Sequence, residues 1–184
     1  MPTGVEEVKK TALLVVDVQV GVVANAFRRT EVIANINQLV SNARNASVPI
    51  IWVQHSDREI VMHSADWQIV SELHPIGEEK IIHKKFGDSF EATELQKLLQ
   101  EQEIVRLVVC GAQTDACIRS TLHGAIGRGF DAVLVGDAHT TDDCQYSTPQ
   151  VSAESIVAHT NFYWNWQRTS SATGGTFATA DIHF

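Results

Sequence analysis

Cysteine is scarce in this chain, with three in 184 residues. An odd number at irregular spacings excludes the disulfide framework that holds together many small secreted domains. Positive charge is also short. Fourteen Lys and Arg stand against 22 Asp and Glu, a formal net charge of −8, and such a chain lacks the basic face that a phosphate backbone requires. No apolar run approaches the roughly 20 residues needed to cross a bilayer. The opening MPTGVEEVKK is polar and acidic, without the basic-then-apolar order of a secretory signal. Internal repeats and low-complexity segments are missing too. These absences leave a single domain over residues 1–184, in a reducing cytoplasm, with neither nucleic acid nor membrane as partner. A chain of this length can bury roughly 70% of the surface its unfolded form exposes.

What is present is an alternation of apolar runs and helix-like segments. TALLVVDVQ (11–19) is too uniformly hydrophobic for a half-exposed strand and fits a parallel sheet covered on both faces. From Arg29 to Ala46, the residues Val32, Ile33, Ile36, Leu39, Val40 and Ala43 recur at helical intervals. Pro49 then stops that helix, and PIIWVQH (49–55) predicts a second strand. Residues 56–79 are polar and predict a long excursion, and loops of that length are usually functional or disordered. KIIHK (80–84), IVRLVVCGA (104–112) and DAVLVGDAH (131–139) predict three more strands. Helices are expected at 93–102, 114–127 and 149–166, and an edge strand at Thr176 to Ile182. The pattern is that of an α/β protein, a three-layer, doubly wound and mainly parallel sheet with right-handed crossovers. In such sheets, ligands bind beyond the carboxyl ends of the strands.

Three residues stand out at those ends: Asp17 late in the first strand, Lys84 closing the third, and Cys117 just past the fourth. Each has an ordinary reading alone, as a loop cap, a surface charge and a packing thiol. Together they are harder to dismiss, because a buried carboxylate wants a nearby cation. A thiol with a reference pKa of about 8.5 is mostly protonated at neutral pH. A helix N-terminus and an ammonium both favour the thiolate, and a carboxylate can take the thiol proton and return it to a leaving amine.

The segments ALLVVDVQ, HKKFGDSF and VVCGAQTDACIRSTLHGAIGRGFDAVLVGDA resemble the isochorismatase-like cysteine hydrolases, among them nicotinamidases, N-carbamoylsarcosine amidases and ureidoacrylate hydrolases. The likeness runs from about Ala12 to about Thr141. Its most specific part is the strand–Gly-x-x-Thr-x-x-Cys–helix element, complete from Gly111 to Cys117. The resemblance implies Cys117 as nucleophile, Asp17 as acid and base, and Lys84 as the lysine. Lys84 is preferred to Lys85 because it lies six positions before Phe90. It also implies a cis peptide between Ala112 and Gln113, and an oxyanion hole from the N–H groups of Gln113 and Cys117. One good donor there stabilises an oxyanion by roughly 3–4 kcal/mol.

Two departures shape the expected chemistry. Nicotinamidases carry a metal-binding Asp-x-His pair after the second strand, where this chain has QHSDRE (54–59). His55, Asp57, His63 and His74 are ligand types, but most polar-loop histidines bind nothing, so neither metal nor other cofactor is expected. The founding isochorismatases cleave a vinyl ether without the cysteine, so Cys117 shifts the expectation to C–N cleavage of a small amide, carbamoyl or ureido substrate. Gln19, Val22, His55, Trp67, Phe86 and Gln113 are expected to line the pocket. Trp164 and Trp166 are candidates for an oligomer contact, since the family commonly forms dimers or tetramers. The rivals are ether hydrolysis in a more basic pocket, and a silent binding protein whose Cys117 would alkylate no faster than free cysteine.

Overall fold

A computed structural model describes residues 10–145 and 148–184. Six strands form one wholly parallel sheet: β1 (Thr11–Val16), β2 (Ile50–His55), β3 (Lys80–Lys84), β4 (Arg106–Ala112), β5 (Asp131–Thr140) and β6 (Gly174–Phe177). Their order is β3-β2-β1-β4-β5-β6. Chain direction across the sheet therefore reverses at β1, whose two neighbours are β2 and β4. A crevice at the carboxyl ends of β1 and β4 follows from that reversal.

Both faces of the sheet are covered. Helix α1 (Arg29–Asn45) lays Val32, Ile33, Ile36, Leu39, Val40 and Ala43 on one face, together with Leu13, Val15 and Trp52. Helices α2 (Leu95–Glu101) and α3 (Arg119–Gly127) cover the other, with Leu95, Leu99 and Leu122 packed on Leu14, Val16 and Leu107. Helix α4 (Ala153–Trp164) lies against β5 and brings Trp164 into that second core. Consecutive residues of β1 point into opposite cores, which is why TALLVV carries no polar alternation.

Several boundaries differ from the sequence reading, each for a local reason. β1 stops at Val16, because Asp17 takes φ 51° and turns the chain. The segment 114–127 is not one helix: Thr114–Ile118 forms a π-helical turn, and α3 follows it. The last helix begins at Ala153 rather than at residue 149, since the Ser152 side chain accepts from Ser155 N–H as the N-cap. The edge strand lies at 174–177 rather than at 176–182. Trp164 is fully buried and donates its indole N–H to Ala132 O at 2.8 Å, so only Trp166, at 70% exposure, is free for an outer contact. The 56–79 excursion has no regular element, but it is anchored: Trp67, Val70 and Leu73 are buried and Ile69 bridges to Gln19.

Candidate active site

Adjacent strands deliver the three reactive residues to one point. Asp17 follows β1 directly, and its left-handed backbone is an uncommon conformation that Asp tolerates better than most residues. Cys117 sits in the π-helical turn after β4, next to β1. Lys84 ends β3, two strands from β1, in register with His55 at the end of β2. Only a long side chain can bridge that gap. Its Nζ lies 2.6 Å from Asp17 Oδ2, both side chains being essentially without solvent exposure. The same Nζ is 3.1 Å from Cys117 Sγ and 3.0 Å from Phe86 O.

Two packing devices fix this meeting. Gly111 has φ 120°, and a Cβ on it would lie 2.0 Å from Val16 O, so only glycine lets β4 approach β1 where Asp17 and Cys117 converge. Ser89, in the loop after β3, accepts no compromise of position either: its N–H and hydroxyl meet the Thr121 hydroxyl at 3.0 and 2.8 Å in a fully buried contact. That contact ties the Lys84 loop to α3, the helix that continues from Cys117.

Electrostatics set the resting proton positions. Burial raises Asp17 above the ordinary carboxylate range, against the opposing pull of Lys84. Neither Asp17 oxygen has an aligned hydrogen-bond partner, so the contact with Lys84 is an ion pair that leaves lone pairs unused. Lys84 is raised: burial alone would lower it, but Asp17 and Cys117 together outweigh that cost. The Cys117 thiol is pushed up to about 12, first by burial and then by the Asp17 charge, with Lys84 opposing. The pull of the ammonium towards the thiolate is thus outweighed by burial and by the Asp17 charge. One ammonium is already neutralised by one carboxylate, and a second buried anion beside them is disfavoured. Burial and the Asp17 charge therefore favour the thiol, while Asp17 and Cys117 hold Lys84 as the ammonium.

The remaining sequence candidates are placed as follows. Gln19 is fully buried and its amide is consumed: Oε1 accepts His55 N–H at 2.7 Å, and Nε2 donates to His55 O and Trp67 O at 2.9 and 2.8 Å. It is a splint rather than a lining group. Trp67 is 7% exposed and packs its ring between His63 and His83. Phe86 is half exposed and lends its carbonyl to Lys84. Val22 O accepts from Gln113 Nε2 at 3.4 Å, and the same amide donates to Asp142 Oδ2 at 3.3 Å. The Ala112–Gln113 peptide is cis, and Gln113 O accepts from Ala116 and Ile118 N–H. His55 places Nδ1 3.4 Å from Lys84 Nζ and Nε2 3.1 Å from Asp57 Oδ2.

The set His55, Asp57, His63 and His74 does not converge; His63 and His74 belong elsewhere, His63 against Trp67. Among the described residues, the ligand-type atoms that do converge are those of Asp17, His55 and Cys117, within 4.8 Å of one another. Lys84 Nζ contacts all three, so a cation already occupies their centre. Sequence reasoning passed over a buried chain at the same sheet edge, in which Thr114 Oγ1 meets His139 Nδ1 at 2.8 Å and His139 Nε2 meets Asn161 Oδ1 at 2.9 Å. His139 ends the apolar run of β5, and the strand-end rule that singled out Asp17 and Lys84 applies to it equally.

Comparison with known proteins gives a consistent result. Residues 11–157 match the isochorismatase domain. YddQ, an uncharacterised isochorismatase family protein of Bacillus subtilis, is 33% identical over 155 residues, covering 79% of this chain and 86% of its own. A streptothricin hydrolase of Streptomyces noursei is 31% identical over 138 residues, 72% of this chain, which spans only 55% of that enzyme. A cysteine hydrolase from Pseudomonas syringae superposes with a TM-score of 0.83 at 21% identity, over 94% of this chain and 90% of its own, and shares the fold. More distant relatives include a ureidoacrylate amidohydrolase of Serratia proteamaculans and a probable inactive nicotinamidase of Arabidopsis thaliana.

Proposed function

The chain belongs to the isochorismatase family, and from that premise we propose that it is a cysteine-dependent hydrolase of a C–N bond in a small amide, carbamoyl or ureido compound. The observation that carries the reading is the buried Asp17–Lys84 pair 3.1 Å from the Cys117 sulfur. A pure binding site gains nothing from burying an ion pair against a thiol, because desolvating two charges is costly. Nucleophilic attack on a carbonyl uses all three groups.

In this reading the substrate carbonyl enters above Cys117. As sulfur attacks, Asp17 takes the thiol proton on one of its unused lone pairs. Lys84 stays protonated and compensates the negative charge passing between sulfur and carboxylate. The N–H groups of Gln113 and Cys117 receive the oxyanion. Collapse of the tetrahedral adduct breaks the C–N bond, and Asp17 returns the proton to the departing nitrogen. A thioester on Cys117 remains, and water releases the acid. Because burial and the Asp17 charge raise the thiol, in this reading Asp17 takes the proton as sulfur attacks.

Ether hydrolysis of a dicarboxylate fits the site less well. The Gln113 amide leans on Asp142, whose carboxyl is raised by burial and by neighbouring Asp115 and Asp143, and a dianionic substrate would meet that negative rim. Turnover is sought across a panel of small amides, carbamoyl and ureido compounds with isochorismate alongside. Hydrolysis of a C–N substrate that disappears in Cys117→Ala supports the reading; equal activity in that variant overturns it. Self-association belongs to the same reading, and sedimentation that finds only monomer at micromolar concentration would remove it.

A further inference from the structure

The deacylation half of the reaction needs a base that can reach water, and the geometry points to His55, oriented by Asp57, as that base. This inference rests on the thioester reading above. Asp17 is fully buried beneath the sulfur, whereas the His55 side chain keeps 16% exposure at the mouth.

The imidazole is held from both ends. Asp57 Oδ1 accepts Glu59 N–H at 2.8 Å and Ile60 N–H at 2.7 Å, while Oδ2 faces His55 Nε2. Those backbone bonds, Ile60 first, hold the Asp57 carboxyl below its ordinary range, and in this proposal it accepts the Nε2 hydrogen of His55 at 3.1 Å. Nδ1 faces the reactive centre, 3.4 Å from Lys84 Nζ. The backbone of His55 is gripped on both its N–H and its carbonyl by Gln19. This is the arrangement of a base aimed by a carboxylate.

Lys84 leaves the Nδ1 lone pair available. Four acceptors surround its Nζ, namely Asp17 Oδ2, Phe86 O, Cys117 Sγ and His55 Nδ1, at 2.6, 3.0, 3.1 and 3.4 Å. An ammonium has three hydrogens, and His55 holds the longest of the four contacts. A ring nitrogen of His55 lies within 4.8 Å of the sulfur, a gap that one water bound to the ring can close onto a carbonyl carbon attached to Sγ. The charged groups facing the ring are Asp57 from its own loop, Lys84 from β3, Asp17 after β1 and Cys117 after β4.

The step balances. Water oxygen bonds to the thioester carbon while one water proton passes to Nδ1. The C–S bond then breaks, sulfur leaves with its electron pair beside Lys84, and the imidazolium proton returns to sulfur. The products are the free acid and the Cys117 thiol, with His55 neutral again.

The test uses p-nitrophenyl acetate as an acylating probe on the full chain, with His55→Gln and Asp57→Asn. Gln retains an amide nitrogen to reach Asp57 but is not a base. Expected in His55→Gln are a burst of nitrophenol in the first turnover, a steady-state rate lower by about a hundredfold, and acetyl-Cys117 accumulating by intact mass. Hydroxylamine, a nucleophile that needs no base, should restore turnover; a merely structural role would not be rescued in this way. Asp57→Asn should show the same pattern more weakly. Equal steady-state rates and equal acetyl-enzyme in the wild type and both variants would overturn the role of His55. Absence of acetyl-Cys117 from all the proteins would instead overturn the thioester reading beneath it.

Discussion

The two ends of the sheet differ in what they bury. At the amino ends of the strands a cavity of about 1070 Å³ opens between Lys10, Pro49, Arg106, Val133, Phe177 and Phe184. None of its charged side chains, Lys10, Arg106 and Asp131, is buried. At the carboxyl ends, Asp17 and Lys84 are buried at 0% and 2% exposure with a thiol against them. Volume records where packing stops. Buried charge records where the fold has accepted a desolvation cost, and the latter is the better guide to chemistry.

The strongest way to break that contrast is at the thiols. Cys117→Ala should lower turnover by at least about a thousandfold with an unchanged melting temperature, whereas Cys110→Ala, deep in β4 with its sulfur near Leu14 O, should leave kcat intact. Next is the ion pair. Lys84→Met strands the Asp17 carboxylate in the core and should cost about 3–5 kcal/mol in urea denaturation, while Lys10→Met at the opposite end should stay within about 0.5 kcal/mol.

Acidification offers a third contrast. Asp17 must be ionised to accept the thiol proton, and it is raised, so activity should fall on acidification from a pH above the ordinary carboxylate range. Its contribution to stability has the opposite sign. A raised carboxyl penalises the folded state above its folded pKa, and the penalty fades as pH falls towards the unfolded value. Kinetic and denaturation profiles across acid pH should therefore part company at this group. Lys84 is raised, and its stabilisation is complete below the ordinary lysine value and lost only as pH climbs through the folded one.

Alkylation by iodoacetamide sharpens the picture further. With the resting thiol at about 12, Cys117 should react more slowly than free cysteine, which removes slow alkylation as the mark of a silent binding protein. Acylation by an activated ester is the informative probe instead. The smallest effect is expected at the large cavity, where Phe177→Ala should change kcat/KM by no more than about twofold.

Much of this was legible in the chain. Uniform apolar runs announced strands buried on both faces, and the strand-end rule brought Asp17, Lys84 and Cys117 to one edge. Gly111 to Cys117 was readable as a turn, though not as a π-helical one, because a π turn and an α turn ask for the same residue types. Gln19 looked like a pocket residue, since a polar side chain after a strand does not disclose whether its amide will be spent on backbone. Trp164 and Trp166 were equivalent in sequence and opposite in fate, as the helix ends between them.

The sequence by itself determined which groups were available and at which edge of the sheet they would stand, because strand periodicity and chain direction are local properties. Tertiary structure decided their charges and partners. Whether Cys117 rests as thiol or thiolate depends on how much water is excluded and on how one ammonium is shared. Whether His55 is a ligand, a filler or a base depends on Asp57 behind it and Lys84 before it. Coulomb interactions and desolvation act through space, at distances of a few ångströms between residues tens of positions apart, and only the folded chain sets those distances.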